Sequence, residues 1–308
     1  MTKQSTRNIS ASVHQRLKNV ARETGRPFQE VLQYFAMERF LHRLSISRHA
    51  DSFVLKGALL FRVWQTPDSR ATRDIDLLAY LNHVPDILAT IIHDIISIEG
   101  PDDGLIFDAD SVDAQRIKED ADYEGVRVRF LGHFGNARIT MQVDIGFGDP
   151  VHPAPALINY PTILDLPAPS LKGYPPETVI AEKVEAMVYL GRLNSRMKDF
   201  YDVWRMTQQF DFDGATLIEA MRRTFAARKT TAILFEELRA EMLENPDVEK
   251  QWNAFVRKSR VEAPDSFTEI LTLIEVFLAA LLAALKAEQA MVDRWDAPGP
   301  WASINMLS

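Results

Sequence analysis

The sequence predicts an α+β fold in two lobes, a small mixed β-sheet lobe followed by a larger, all-helical C-terminal lobe. Apolar residues recur at spacings near three and four through 28–44, the period switches to two between 125 and 149, and helical periods resume from Glu177 almost to the end. Between the last two stretches, eight prolines fall from Pro150 to Pro176, which reads as an extended, ordered crossing rather than a helix. The expected divisions are a helical lead-in over 1–50, an α/β core over 51–150, the proline-rich crossing over 151–176 and a helical lobe over 177–308.

Each element has its own signal. In 28-FQEVLQYFAMERFLHRL-44, Val31, Leu32, Phe35, Phe40 and Leu41 make an apolar helix face. The run 53-FVLKGALLFRVW-64 begins as a strand, passes Gly57 and continues with helix formers, and TPDSR, with Pro67 and Asp68, is a turn. A strand over 70-RATRDIDLLAY-80 comes next, then an amphipathic helix over 85-PDILATIIHDIIS-97; acidic, glycine-containing 99–113 reads as loop or a ragged sheet edge. In 138–147, Ile139, Met141, Val143 and Ile145 alternate with Thr140, Gln142 and Asp144, while Val126, Val128 and Phe130 alternate upstream, so the two runs around GHFGN form an antiparallel hairpin. Pro175-Pro176 and Gly191 punctuate a helix over 177–191, and Asn194 is the expected N-cap of the next, ahead of a tail over 298–308. No internal repeat or low-complexity tract interrupts this order.

Composition narrows the function classes. The chain has no cysteine, so disulfides and thiolate metal sites are excluded, and the cytoplasm is the expected compartment. The N-terminal stretch lacks the apolar core of a signal peptide. The most apolar window, 271–286, is interrupted by Glu275 and reads as a buried helix, with no membrane partner expected. A net charge of -8 argues against an all-over basic coat but leaves room for a local basic groove. Phosphate-binding loops of the Walker type, dinucleotide fingerprints and nucleophile elbows are absent, and the seven histidines show no zinc-binding spacing.

Three clusters remain that carry chemistry. Side chains two apart on a strand share a face, so Asp74 and Asp76 stand side by side, ~7 Å apart, while Ile75 and Leu77 face the core. A hard divalent cation, magnesium or manganese, suits such a pair; a solvated edge, or ion pairs with Arg70 and Arg73, is the alternative. Asp144 has the polar parity of its strand. It adds a third carboxylate if that strand neighbours the first, and otherwise only lies on a solvated face. On a helical wheel Lys183 falls among Val179, Ile180, Val184 and Met187, with Glu182 and Glu185 pointing the other way. On the following helix Asp199 sits among Phe200, Val203, Met206 and Phe210, with Asp202 at the edge of that arc and Lys198, Tyr201 and Arg205 opposite. A lysine paired with Asp199 would either lock the two helices together or neutralise phosphate oxygens while the aspartate orients it.

Taken in order, 55-LKGALLF-61, 70-RATRDIDL-77, 141-MQVDIGFGD-149, 180-IAEKVEAM-187 and 195-SRMKDFYDVW-204 resemble the AbiEii/AbiGii nucleotidyltransferase toxins, whose fold is similar to the DNA polymerase β superfamily. The resemblance implies a nucleotidyltransferase (EC 2.7.7-like) lobe and transfer of a nucleotide from a nucleoside triphosphate, with tRNA as acceptor and a cognate antitoxin protein as partner. It implies that Asp74 and Asp76 bind metal, that Lys183 is the essential lysine, and that Asp199 or Asp202 is the last acidic residue. Lys56, Gly57, Arg70, Arg73, Arg196 and Lys198 are the corresponding candidates for phosphate contacts. This chain departs from the family at Gly57-Ala58-Leu59, where a phosphate-contacting hydroxyl is common, so that contact falls to the backbone N–H groups. Nucleotide transfer to a protein side chain and a non-enzymatic helical interaction module are the alternative readings.

Overall fold

The computed structural model describes residues 3–66, 70–120 and 123–303, so the turn expected at Pro67 and Asp68 and residues 304–308 of the tail lie outside the described residues. The chain divides into two compact units: Met1–Gln65 with Ala71–Gly148 and Ala156–Gly173, and Thr66–Arg70 with Asp149–Pro155 and Tyr174–Ser308.

The first unit is a mixed sheet with helices α1 (Lys3–Thr24), α2 (Phe28–Ile46), α3 (Leu60–Val63) and α4 (Pro85–Ile96). Its strands are β1 (Phe53–Lys56), β2 (Ile75–Ala79), β3 (Leu105–Asp120), β4 (Tyr123–Phe134), β5 (Ala137–Phe147), β6 (Ala156–Asn159) and β7 (Ser170–Gly173). They lie in the order β3-β4-β5-β2-β1-β7-β6, with β2 parallel to β5, β1 parallel to β7 and the other pairs antiparallel. Gly135, at φ 57, supplies the positive φ of the β4–β5 turn, and Phe134 pairs with Ala137 across it. Residues 105–113, read as loop or ragged edge, begin the edge strand β3, whose register slips between Asp108 and Asp113.

Alternation gives the sheet one apolar face. Leu55, Leu77, Ile145 and Val126 occupy one row across four strands, Ile75, Val143 and Val128 the next, and all are buried. At ~1.5–3 kcal/mol for each such side chain, these rows fix the register, because a one-residue slip would expose all of them. From Val31 to Leu44 every residue of α2 except Gln33 is buried, including Glu38, Arg39, His42 and Arg43. The charged ones have partners: Arg43 donates to Asp103 at 3.0 Å, Arg39 to Glu38 at 2.6 Å and to Pro167 O at 3.0 Å, and Glu38 accepts from Ile163 N at 2.7 Å. These bonds hold the proline-rich stretch against α2. That stretch is thus more than a crossing: it contributes β6 and β7, which bring the sheet to seven strands, larger than expected.

The second unit contains α5 (Pro176–Leu190), α6 (Met197–Gln209), α7 (Gly214–Arg228), α8 (Phe235–Leu243), α9 (Val248–Ser259) and α10 (Phe267–Lys286). It is not all helical, since β8 (Phe212–Asp213), β9 (Asp293–Trp295) and β10 (Trp301–Ser303) form a small sheet, in the order β10-β9-β8, that includes part of the expected tail. Trp295 and Trp301 of that sheet pack on Phe277 of α10, with ring centroids 4.8 and 5.3 Å away. By length and composition α10 could cross a membrane, yet Ile270, Ile274, Phe277, Leu278, Leu281 and Leu282 are buried inside the unit.

The proline-rich stretch therefore makes a thermodynamic contrast. Leu171, 4% exposed on β7, is expected to cost ~2–5 kcal/mol when changed to alanine, whereas Leu157, 74% exposed on β6, is expected to stay within ~0.5 kcal/mol. Urea denaturation of the two variants checks this.

Candidate active site

The first cluster forms where β1 turns. Lys56 ends β1 and is buried, and antiparallel pairing sets it opposite Asp76. Gly57 then turns the chain at φ 72 into a 3-10 turn, Gly57–Leu59, that leads into α3. A Cβ at Gly57 would lie 2.0 Å from the Asp76 Oδ2, so only glycine lets this turn pass against that carboxylate. Asp74 immediately precedes β2, and both aspartates are half-buried while Ile75 and Leu77 are fully covered. Ahead of them, the Thr72 N–H donates to the Tyr34 hydroxyl at 3.0 Å, and the Arg62 guanidinium lies 4.6 Å over the Tyr34 ring. Tyr34 thereby ties α2 both to the lead into β2 and to the helix that follows Gly57. Arg73 is exposed.

Asp144 lies directly beside Asp76, its register partner on the parallel neighbour β5. Its carboxylate is engaged by Arg127 on β4, whose Nε and Nη2 donate to Oδ1 and Oδ2, both at 2.7 Å, and Gln142 Nε2 donates to Oδ2 at 3.3 Å. The sheet thus brings Asp74, Asp76, Asp144, Lys56 and Gly57 to one locality. Among the described residues, however, no three His, Cys, Asp or Glu side chains are arranged to hold a metal ion. In donor chemistry, Asp74 and Asp76 offer the hard carboxylate oxygens that magnesium takes, an ion commonly bound by one or two carboxylates with the remaining positions left to water and phosphate.

The second unit holds the other candidates. Lys183, 13% exposed on α5, donates to Asp199 Oδ1 at 2.7 Å and to Asp202 Oδ2 at 2.8 Å, both on α6. Arg70 grips Asp202 through Nε at 3.1 Å and Nη2 at 3.0 Å, and Arg196 lies 2.7 Å from Asp199. Burial opposes ionisation of both aspartates, but the surrounding cations overcome it, Lys183 first for Asp199 and Arg70 first for Asp202, and both carboxyls titrate below the usual aspartate range. Burial likewise opposes the Lys183 charge, and Asp199 and Asp202 more than offset it, so its ammonium titrates above the usual lysine range. Lys198 is exposed beside this network.

Packing adds to two helical-wheel positions and changes one expected cap. Glu185 does point away from Lys183 but is buried there, because α7 packs on that side of α5 and Arg228 donates to Glu185 at 2.8 Å and to Asp149 at 3.0 Å. Tyr201 is buried because α9 covers it, with the Phe255 ring 5.7 Å away. Asn194 does not cap α6: it lies three residues before Met197 and accepts from the Arg196 N–H at 2.7 Å, shaping the turn ahead of the helix. Arg127 and Tyr34 are additions that sequence reasoning missed. Only Arg127 left a signal there, since counting back from a Gly135-Asn136 turn sets residue 127 opposite residue 144.

A family model described as "Nucleotidyl transferase AbiEii toxin, Type IV TA system" matches residues 39–273, more than half of the chain. Among solved structures, JHP933 from Helicobacter pylori is similar at 13% identity, covering 84% of this chain and 93% of that one with a TM-score of 0.45. A second H. pylori protein, described as a candidate nucleotidyltransferase, is similar at 13% identity, covering 85% and 99% with the same TM-score of 0.45. Among curated proteins nothing matches.

Two variants test this geometry. Lys183→Met leaves two buried carboxylates short of a cation and is expected to cost roughly 3–5 kcal/mol in denaturant unfolding. The aspartates stabilise the fold fully above their unfolded pKa of about 3.9, and that contribution is lost as pH falls through their lower folded values, so wild-type stability drops on acidification below about pH 4 and Lys183→Met flattens the drop. Gly57→Ala combines a left-handed backbone with a clash against Asp76 and is expected to cost at least about 1–2 kcal/mol in the same assay.

Proposed function

The chain belongs to the AbiEii family of nucleotidyl transferase toxins of type IV toxin–antitoxin systems, and from that premise we propose that it transfers a nucleotide from a nucleoside triphosphate to the 3′ end of tRNA, blocking growth. The observation that carries this reading is the Gly57 turn held against Asp76, with Asp74 two residues upstream, immediately before β2. Such an arrangement offers carboxylate oxygens and backbone N–H groups side by side, which suits a metal-bound triphosphate better than it suits a buried structural ion pair.

In this proposal Asp74 and Asp76 hold magnesium or manganese, which when bound neutralises phosphate charge and orients the triphosphate. The backbone N–H groups of the Gly57–Leu59 turn serve phosphate oxygens, and Lys56 balances the Asp76 charge. The acceptor hydroxyl oxygen bonds to the α-phosphorus as the bond to pyrophosphate breaks, and the hydroxyl proton passes to a carboxylate of the pair. In the second unit, Asp199, Asp202 and Arg70 keep Lys183 charged and fixed in direction, which supports its role as the essential lysine. Exposed Arg73 and Lys198, with Arg196, are assigned to nucleotide or RNA phosphates. Family membership also brings a cognate antitoxin as partner.

The test incubates the purified chain with each labelled triphosphate, magnesium and total tRNA. Label is expected in a band that RNase removes and protease does not, and Asp76→Asn is expected to lower it by about a hundredfold or more. A protease-sensitive band would move the acceptor to a protein side chain. Unlabelled lanes with every triphosphate, or full labelling by Asp76→Asn, would sink the enzymatic reading.

A further inference from the structure

One row of the sheet carries four charges in register: Arg127 on β4, Asp144 on β5, Asp76 on β2 and Lys56 on β1. Residues paired across neighbouring strands are close enough to interact, so Asp76 and Asp144 are like charges on adjacent strands and repel. Arg127 answers that repulsion from the far side. Its fork meets both oxygens of Asp144 at 2.7 Å, the geometry in which an arginine–carboxylate pair is strongest, and Gln142 adds a third donor. Arg127 is 31% exposed and Asp144 9%, so the carboxylate is the enclosed member and the guanidinium its lid.

We infer that Arg127 is a positioning residue that withholds Asp144 from the cation, so that Asp74 and Asp76 alone supply carboxylates and the ion needs triphosphate oxygens to complete its shell. This rests on the metal reading above and deepens it. A third carboxylate would let a divalent ion bind firmly by itself, since oxygen sites tighten with the number of charged ligands. With two, the ion binds weakly until nucleotide arrives, and the pair enters together.

The test is titration of Mn2+ into the full chain without nucleotide, followed by calorimetry and by loss of the free-ion electron paramagnetic resonance signal. Wild type is expected to bind weakly, and Arg127→Gln, which frees Asp144 beside Asp76, to bind about tenfold more tightly. The charge-neutral double Arg127→Gln/Asp144→Asn is expected to return to the wild-type value, and Asp76→Asn to lose binding. Arg127→Lys keeps the charge but cannot hold both oxygens, so it should tighten binding partially and serves if the glutamine variant fails to give a cooperative melt. Unchanged or weaker binding in Arg127→Gln, or a double variant as weak as Asp76→Asn, overturns the inference while leaving the Asp74–Asp76 site standing. Unaltered binding in Asp76→Asn overturns that site and the inference with it.

Discussion

Parallel pairing of β2 with β5 sets Ile75 beside Val143, Asp76 beside Asp144 and Leu77 beside Ile145, and much of what the first unit can do follows from that register. The apolar members are fully buried, so slippage by one residue would drive the carboxylates into the core and the core residues out of it. Burial of Ile75, Leu77, Val143 and Ile145 is thus what forces two aspartates from segments far apart in sequence to face each other. The cost of that arrangement is like-charge repulsion, and the same row supplies cations at both ends, Arg127 beyond Asp144 and Lys56 beyond Asp76.

The second unit solves a comparable problem differently. Here the charges lie between packed helices rather than on a sheet face, where an isolated carboxylate or ammonium would be expensive. Asp199 and Asp202, 1% and 2% exposed, share one lysine and each approach an arginine. Sharing holds the Lys183 ammonium in a single direction and keeps it charged. A second buried group, Arg228 with Asp149 and Glu185, follows the same rule on the other side of α5.

Much of this was legible. The 3.6-residue period of α2 and α4, the alternation in β4 and β5 and the proline and glycine punctuation of α5 all report which side of an element meets a core, because burial is selected residue by residue. The inward parity of Lys183 and Asp199 was readable for the same reason. The strands β6 and β7 were not: they are four residues each, flanked by proline, and their order depends on Glu38 and Arg39 of α2 bonding to Ile163 and Pro167. The burial of Glu185 and Tyr201 was not legible either, because a wheel describes one helix, whereas α5 and α6 are covered on more than one side.

By itself the sequence determined which residues alternate, which helices have an apolar face and which carboxylates and cations sit at odds with their surroundings, since these are properties of neighbours along the chain. Only the tertiary structure decided which strand lies beside which and who neutralises whom. Asp144 shows the difference: its parity was written in its own strand, but that Asp76 flanks it on one side and Arg127 encloses it from the other follows from long-range pairing, because a buried charge takes its state from whatever the fold brings within hydrogen-bond reach.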